Sequence, residues 1–135
     1  MSITNPLEDY TVLIVDDNAM LRSTLAVAFE DAGYSVAEAC DGEQALSILA
    51  LVHPQIIVMD IQMPILNGIE ATRHLRKIAE FAAIPVVAFS GDVASIDSAR
   101  HLFDGVLTKP LLPSEIIHAV KQLLSAGARG DLQRA

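Results

Sequence analysis

Three short, continuous runs of apolar residues constrain the fold of this chain more than any other feature. They cover residues 11–15, 56–59 and 85–89, and none of them alternates apolar with polar side chains. Such runs are typical of β-strands that are buried on both faces, as in a parallel sheet covered by helices. Two weaker strand candidates lie at residues 35–39 and 105–108.

Helical patterns separate these strand candidates. Asn18, Asp41 and Asn67 each precede a segment in which apolar residues recur at helical spacing, and each can cap the first turn of a helix. A weaker helical pattern covers residues 93–102, and a last helix begins at residue 113 or 114. The chain therefore alternates strand and helix five times, which predicts an open, doubly wound parallel sheet with helices on both faces.

Composition limits the class of protein. A chain of 135 residues with 52% apolar content suits one folded domain, and the surplus of 17 acidic over 9 basic residues argues against binding to nucleic acid or to anionic membranes. The single cysteine, Cys40, excludes an internal disulfide, and no apolar run is long enough to cross a membrane. We expect one cytoplasmic domain at residues 10–125, an N-terminal extension at 1–9, and a tail or truncated linker at 126–135.

Polar residues follow four of the strand candidates at the point where each strand ends. Asp16 and Asp17 follow the first, Asp60 the third, Ser90 the fourth and Lys109 the fifth. Because the carboxyl ends of parallel strands meet at one edge of an α/β sheet, where such folds bind ligands, these side chains are expected to converge.

The chemistry of such a cluster is specific. Three carboxylates held together repel one another unless a cation is present, and hard oxygen ligands of this kind suit Mg²⁺, or Mn²⁺. A carboxylate can attack phosphorus to give an acyl phosphate, and Lys109 offers a fixed positive charge to phosphoryl oxygens. The pattern therefore indicates phosphoryl transfer assisted by a divalent cation.

Four motifs that contain these residues together resemble the receiver domain of bacterial two-component response regulators, over residues 10–124. They are Val-Asp-Asp at 15–17, Met-Asp-Ile-Gln-Met-Pro at 59–64 with Asn-Gly at 67–68, Ser-Gly at 90–91, and Leu-Thr-Lys-Pro at 107–110. The resemblance implies a flavodoxin-like, CheY-like α/β fold with five parallel strands in the order 2-1-3-4-5. The sequence of residues 59–64 is similar to that of receivers attached to hybrid histidine kinases.

The resemblance also implies roles for the site residues. Asp60 would accept a phosphoryl group from a histidine kinase or a histidine phosphotransfer protein and would switch binding to a downstream protein of unknown identity. Asp16, Asp17, Asp60 and the backbone carbonyl of Gln62 would hold Mg²⁺.

Further roles follow from the same resemblance. Ser90, Gly91 and Lys109 would contact the phosphoryl group, and the peptide bond between Lys109 and Pro110 would be cis. Such a domain would catalyse its own phosphorylation and slow dephosphorylation without being a turnover enzyme, and a weak homodimer is possible.

The sequence departs from the family pattern in the region before Lys109. Val106 occupies the position of the usual switch aromatic, and a valine cannot signal by burying a ring. The segment from Ser90 to Lys109 is also about one helical turn shorter than usual. The usual output route through this region is therefore expected to be altered.

Three alternatives stay open at this stage. An aspartate-nucleophile phosphatase needs a general acid two residues after the nucleophile, where this chain has Gln62. A nucleotide- or flavin-binding protein of similar fold would need a glycine-rich phosphate loop, which the sequence lacks. A degenerate receiver would bind a partner independently of phosphorylation.

Two expectations concern residues outside the cluster. Cys40 is expected to be a small, buried residue. Arg73, Arg76 and Lys77 are expected to form a solvated basic face on the third helix.

Overall fold

The computed structural model describes residues 10–126 and contains one five-stranded parallel sheet. The strands are β1 (Thr11–Val15), β2 (Ser35–Ala39), β3 (Ile56–Asp60), β4 (Val86–Ser90) and β5 (Gly105–Thr108). Their order in the sheet is β2-β1-β3-β4-β5, which confirms the expected topology. The extension expected at residues 1–9, and the tail expected at 126–135 apart from its first residue, lie outside the described residues.

Helical segments connect the strands. They are α1 (Ala19–Asp31), α2 (Gly42–Val52), α3 (Gly68–Arg76), a 3₁₀ segment (Val93–Leu102) and α4 (Pro113–Ser125). The 3₁₀ segment replaces an α-helix in the crossover between β4 and β5. A 3₁₀ helix rises about 2.0 Å per residue against about 1.5 Å in an α-helix, so ten residues cover a greater distance in this form than they would as an α-helix.

Side-chain caps begin three of the helices, as the sequence predicts. Oxygen atoms of Asn18, Asp41 and Asn67 accept hydrogen bonds from backbone N–H groups in the first turns of α1, α2 and α3. These caps satisfy donors that have no partner within the helix. Each cap lies at the carboxyl end of the strands, so the caps also fix the loops that carry the polar residues.

The core lies on both faces of the sheet. The strands β3 and β4 are buried throughout, and β1 is buried except for Thr11, whereas the edge strand β2 is largely half-buried or exposed. One layer, against α1 and α4, contains Val12, Ile14, Leu25, Phe29, Val58, Phe89, Ile116 and Val120. The other, against α2, α3 and the 3₁₀ segment, contains Leu13, Val15, Leu49, Ile57, Met59, Leu75 and Ile96. This double cover explains why the three central strands lack alternation.

Two expectations about side chains are wrong. Cys40 is exposed, because it follows the edge strand β2 rather than a central one. Arg76 does not lie on a solvated face: its side chain is 11% exposed and pairs with Asp104 at 3.1 Å. Its guanidinium also donates to the carbonyl oxygens of Ala82 and Leu102, at 3.0 and 2.8 Å.

Within residues 10–126, none of the helices combines the length and the apolar character that a membrane span requires.

Candidate functional site

Three carboxylates meet at the carboxyl ends of β1 and β3. Oxygen atoms of Asp16, Asp17 and Asp60 lie within 4.8 Å of one another. Asp16 and Asp60 are 0% and 3% exposed, whereas Asp17 is exposed. The sheet brings these residues together because β1 and β3 are hydrogen-bonded neighbours in parallel register.

Asp16 is oriented by bonds to its neighbours. Its backbone N–H donates to the carbonyl of Ala39 at 3.1 Å, and its Oδ1 accepts from the backbone N–H of Asn18 at 2.9 Å. Its other carboxylate oxygen, Oδ2, is buried and has no hydrogen-bond partner among residues 10–126. A buried carboxylate oxygen without a donor is costly, so this atom suits a cationic ligand.

Asp60 is held between a repelling carboxylate and an attracting lysine. Lys109 Nζ lies 3.5 Å from Asp60 Oδ2, and the backbone N–H of Gln62 donates to Asp60 Oδ1 at 3.3 Å. Burial, together with the nearby charge of Asp16, raises the pKa of Asp60 to about 6, although Lys109 and the Gln62 N–H act in the opposite direction. Burial is the larger of the two causes. It raises the pKa because removal from water disfavours the charged form of a carboxyl group.

The donor set fits a small, hard divalent cation. Two buried carboxylates and one exposed carboxylate offer oxygen ligands of the kind Mg²⁺ uses, and Asp17 leaves one side open to water. The unpartnered Asp16 Oδ2, beside the second buried carboxylate of Asp60, is an acceptor that a cation can satisfy. The residues present therefore suit the predicted magnesium ion.

Two glycines allow the loop after Asp60 to pack closely. A Cβ atom on Gly68 would overlap the backbone carbonyl oxygen of Asp60, and one on Gly42 would overlap that of Leu66. The N–H of Gly68 donates to the Ile61 carbonyl at 3.0 Å. The start of α3 is thus packed directly against the backbone that carries Asp60.

Ser90 lies at the end of β4, fully buried. Its hydroxyl oxygen accepts from the backbone N–H of Asp92 at 3.0 Å and lies 3.3 Å from the Asp92 carbonyl, to which the hydroxyl can donate. Gly91 is exposed, with open space where a side chain would be. In this structure the hydroxyl of Ser90 therefore bonds to the start of the next crossover, and no atom of residues 10–126 beyond its chain neighbours would contact a Cβ at Gly91.

The end of β5 places Lys109 beside Ser90. The backbone N–H of Lys109 donates to the Ser90 carbonyl at 2.9 Å, and the peptide bond between Lys109 and Pro110 is cis. The Lys109 ammonium lies 5.0 Å from the centre of the Phe89 ring, a distance at which a cation is attracted to an aromatic face.

The region that departs from the family pattern belongs to the core. Val106 is half-buried on β5 and packs against the core layer that faces α2 and α3, while Phe103 is itself buried in that layer. Phe103 therefore belongs to the same core layer as Val106, but it precedes β5 and does not occupy the position of Val106 in the strand.

Sequence reasoning missed two charged residues beside the cluster. Arg22 Nη1 on α1 donates to the backbone carbonyl of Asp16 at 2.7 Å, and Arg22 Nε pairs with Glu38 on β2 at 3.1 Å. The apolar pattern of α1 places Arg22 beside Leu21 at the buried edge of the helix, but nothing in the pattern shows which carbonyl it reaches.

Comparisons with known proteins agree with this geometry. A family model described as the response regulator receiver domain matches residues 12–121. The probable transcriptional regulator ycf27 of Cyanophora paradoxa is 37% identical over 114 residues, which cover 84% of this chain and 47% of that protein. The autoinducer 1 sensor kinase/phosphatase LuxN of Vibrio campbellii is 32% identical over 117 residues, which cover 85% of this chain and 14% of that protein.

A solved structure shows the same architecture. The chemotaxis response regulator CheY4 of Vibrio cholerae matches with a TM-score of 0.79 and 25% identity, covering 84% of this chain and 98% of that one. The chain spans about half the length, or less, of the curated relatives it matches.

Proposed function

Because the chain belongs to the response regulator receiver domain family, we propose that it accepts a phosphoryl group on Asp60 and thereby changes its affinity for a partner protein. The chain is a receiver domain of two-component systems, homologous to receivers of hybrid sensor kinases and of response regulators. The observation that carries the proposal is the position of Asp60, between Asp16, Asp17 and the ammonium of Lys109.

The proposed step is a transfer between a histidine and an aspartate. A carboxylate oxygen of Asp60 attacks the phosphorus of a phosphohistidine on a histidine kinase or phosphotransfer protein. The new O–P bond forms as the P–N bond breaks, and the electron pair stays on the imidazole nitrogen, which takes up a proton. Lys109, already 3.5 Å from Asp60, is positioned to offset negative charge on the transferred group.

The carboxylates of Asp16, Asp17 and Asp60, with the backbone carbonyl of Gln62, would hold Mg²⁺ or Mn²⁺. When bound, such a cation offsets negative charge on phosphoryl oxygens. Among the protein's own groups, Lys109 and the backbone N–H of Gln62 favour the charged form of Asp60, against the effects of burial and of Asp16.

The phosphorylated domain would act as a switch rather than as a turnover enzyme. The hydroxyl of Ser90 bonds to Asp92 here, and a phosphoryl group on Asp60 offers it an alternative acceptor. Exchange of that bond would release the start of the 3₁₀ segment, whose conformation a partner can then select. Slow hydrolysis of the acyl phosphate would restore the resting state.

An apolar cavity beside Lys109 suits the phosphate donor. It has a volume of about 450 Å³ and is lined by Leu21, Phe89, Lys109, Pro110, Leu111 and Ile116. Met20 precedes Leu21 in the chain and Leu112 follows Leu111, and these two residues are 81% and 64% exposed. We propose that an apolar helix face of the donor covers these side chains while its phosphohistidine meets Asp60.

Two earlier alternatives are less well supported. A receiver that acts independently of phosphorylation would not need two buried carboxylates, Asp16 and Asp60, or the contact between Asp60 and Lys109. That alternative is therefore not favoured. In a phosphatase the position two residues after Asp60 would carry an acid, and it is the exposed Gln62. The cytoplasmic location, the downstream partner and a weak homodimer stay predictions.

Chemical trapping of the acyl phosphate tests the proposal. The protein would be incubated with acetyl phosphate and Mg²⁺, reduced with borohydride and digested. An aspartyl phosphate is converted to homoserine by this treatment, so tandem mass spectrometry should find homoserine at position 60. Homoserine at Asp16 or Asp17 instead, or at no position, would contradict the assignment.

A further inference from the structure

We propose that Arg22 is a positioning residue for the acidic cluster, because its guanidinium holds the backbone of Asp16 so that the Asp16 carboxylate faces a bound divalent cation. This inference rests on the proposed function, since the cation is the one that the phosphoryl site would hold. It assigns a role to a residue that contacts neither the phosphoryl group nor the cation.

The contacts of Arg22 are directed, and the bond to the Asp16 carbonyl is partly buried, whereas the Glu38 side chain is 42% exposed. The Arg22 side chain is 18% exposed, Nη1 donates to the Asp16 carbonyl at 2.7 Å, and Nε donates to Glu38 Oε1 at 3.1 Å. Hydrogen bonds from a charged donor are stronger than neutral ones. Glu38 lies on β2 and Asp16 follows β1, so Arg22 ties α1 to the ends of two strands.

The bonds around Asp16 form a closed ring. The backbone N–H of Arg22 donates to the Asn18 carbonyl at 2.9 Å, and the backbone N–H of Asn18 donates to Asp16 Oδ1 at 2.9 Å. The ring is completed by the guanidinium on the Asp16 carbonyl. The backbone and the side chain of Arg22 therefore both bond to the turn from Asp16 to Asn18.

One atom of Asp16 is left without a partner by this arrangement. The backbone N–H, the carbonyl and Oδ1 of Asp16 are all engaged, whereas Oδ2 is buried with no hydrogen-bond partner among residues 10–126. The Asp16 carboxylate is one of three that offer oxygen atoms within 4.8 Å of one another. Arg22 thus fixes the residue in the orientation that offers Oδ2 to a cation.

The direction in which Mg²⁺ affinity changes when Arg22 is replaced distinguishes a positioning role from a purely electrostatic one. A guanidinium that acted only through its charge would repel a nearby cation, so its removal would tighten Mg²⁺ binding. Removal of a guanidinium that holds Asp16 in place would instead weaken Mg²⁺ binding, because the carboxylate could then turn away from the cation.

Calorimetric titration with Mg²⁺ of the intact 135-residue chain tests this inference. Arg22→Gln should raise the Mg²⁺ dissociation constant about tenfold, as loss of a group that orients a metal ligand typically does. Arg22→Lys should restore part of the affinity, because an ammonium can reach one acceptor but does not reproduce the fork that joins Asp16 and Glu38. Arg73→Gln is the matched control, since Arg73 carries the same charge in an exposed pair with Glu70 on α3. It should change the affinity by less than about twofold.

Each outcome decides the inference. Unchanged or tighter Mg²⁺ binding in Arg22→Gln would overturn it, as would the absence of measurable Mg²⁺ binding to the wild-type protein. If Arg22→Gln does not fold, Arg22→Lys decides, and wild-type affinity in that variant would overturn the inference. Phosphorylation of Asp60 is measured separately: a wild-type chain that binds Mg²⁺ in the predicted Arg22-dependent way but takes no phosphoryl group would refute the proposed function and leave this inference standing.

Discussion

The ammonium of Lys109 lies 3.5 Å from the buried carboxylate of Asp60, and its charge lowers the pKa of that carboxyl group, which burial and Asp16 raise to about 6. Lys109→Gln removes this charge, so the pKa of Asp60 should rise above about 6 in metal-free buffer. Carbon-detected NMR of the Asp60 carboxyl group measures it directly. Lys121→Gln, at an exposed position on α4, is the control. An unchanged or lower pKa in Lys109→Gln would show that the pair does not interact.

The pKa of Asp60 also predicts how stability depends on pH. Its value of about 6 lies above the ordinary 3.8, so the folded chain binds this proton more tightly than the unfolded chain does. The resulting stabilisation is fully present below about pH 3.8 and is lost as the pH rises through about 6.

Asp60→Asn isolates this contribution because the amide does not titrate. In metal-free buffer, the variant should gain stability relative to the wild type by about 2 kcal/mol as the pH rises from about 4 to about 7. Urea unfolding of both proteins at each pH gives the difference. A difference that stays constant over this range would contradict the raised pKa.

Gly68 provides a steric test of the loop that carries Asp60. A methyl group at this position would overlap the Asp60 carbonyl oxygen, so Gly68→Ala should displace Asp60 and slow its phosphorylation by acetyl phosphate about tenfold or more. Gly105→Ala is the matched control, since a Cβ atom there would lie 3.7 Å from its nearest neighbour, a side-chain carbon of Leu123, which is an ordinary contact distance. Equal rates in the two variants would mean that close packing at Gly68 does not position Asp60.

The buried pair of Arg76 and Asp104 should contribute strongly to stability. Arg76→Met leaves Asp104 buried without this arginine and removes a donor from the Leu102 carbonyl, so the expected loss is about 3–5 kcal/mol. Arg73→Met breaks the exposed pair with Glu70 and should cost about 0–1 kcal/mol. Chemical denaturation of both variants measures the contrast, and similar losses would refute it.

The sheet and the acidic cluster were predictable for a physical reason. Runs of apolar residues buried on both faces mark central parallel strands, and the residue after such a strand must lie at the carboxyl edge of the sheet. Asp16 follows β1 and Asp60 ends the neighbouring strand β3, so their positions in the sequence imply that they lie close together. The capping residues Asn18, Asp41 and Asn67 were recognisable because a cap interacts only with its own helix.

Other features depend on contacts that no local pattern encodes. Arg76 has the sequence context of a surface residue. Its burial follows from backbone carbonyl groups 6 to 26 positions away, and from the Asp104 carboxylate 28 positions away, which converge on it. Arg22 similarly reaches a backbone carbonyl on a different element. The exposure of Cys40 depends on β2 lying at the edge of the sheet, which is a property of strand order rather than of the residues around it.

Intact mass spectrometry after incubation with acetyl phosphate tests the central claim most directly. The wild-type chain should gain one phosphoryl group with Mg²⁺ present and none when the cation is chelated, and Asp60→Asn should gain none in either condition. An adduct on Asp60→Asn, or no adduct on the wild type with Mg²⁺ present, would contradict the claim that Asp60 is the phosphoacceptor.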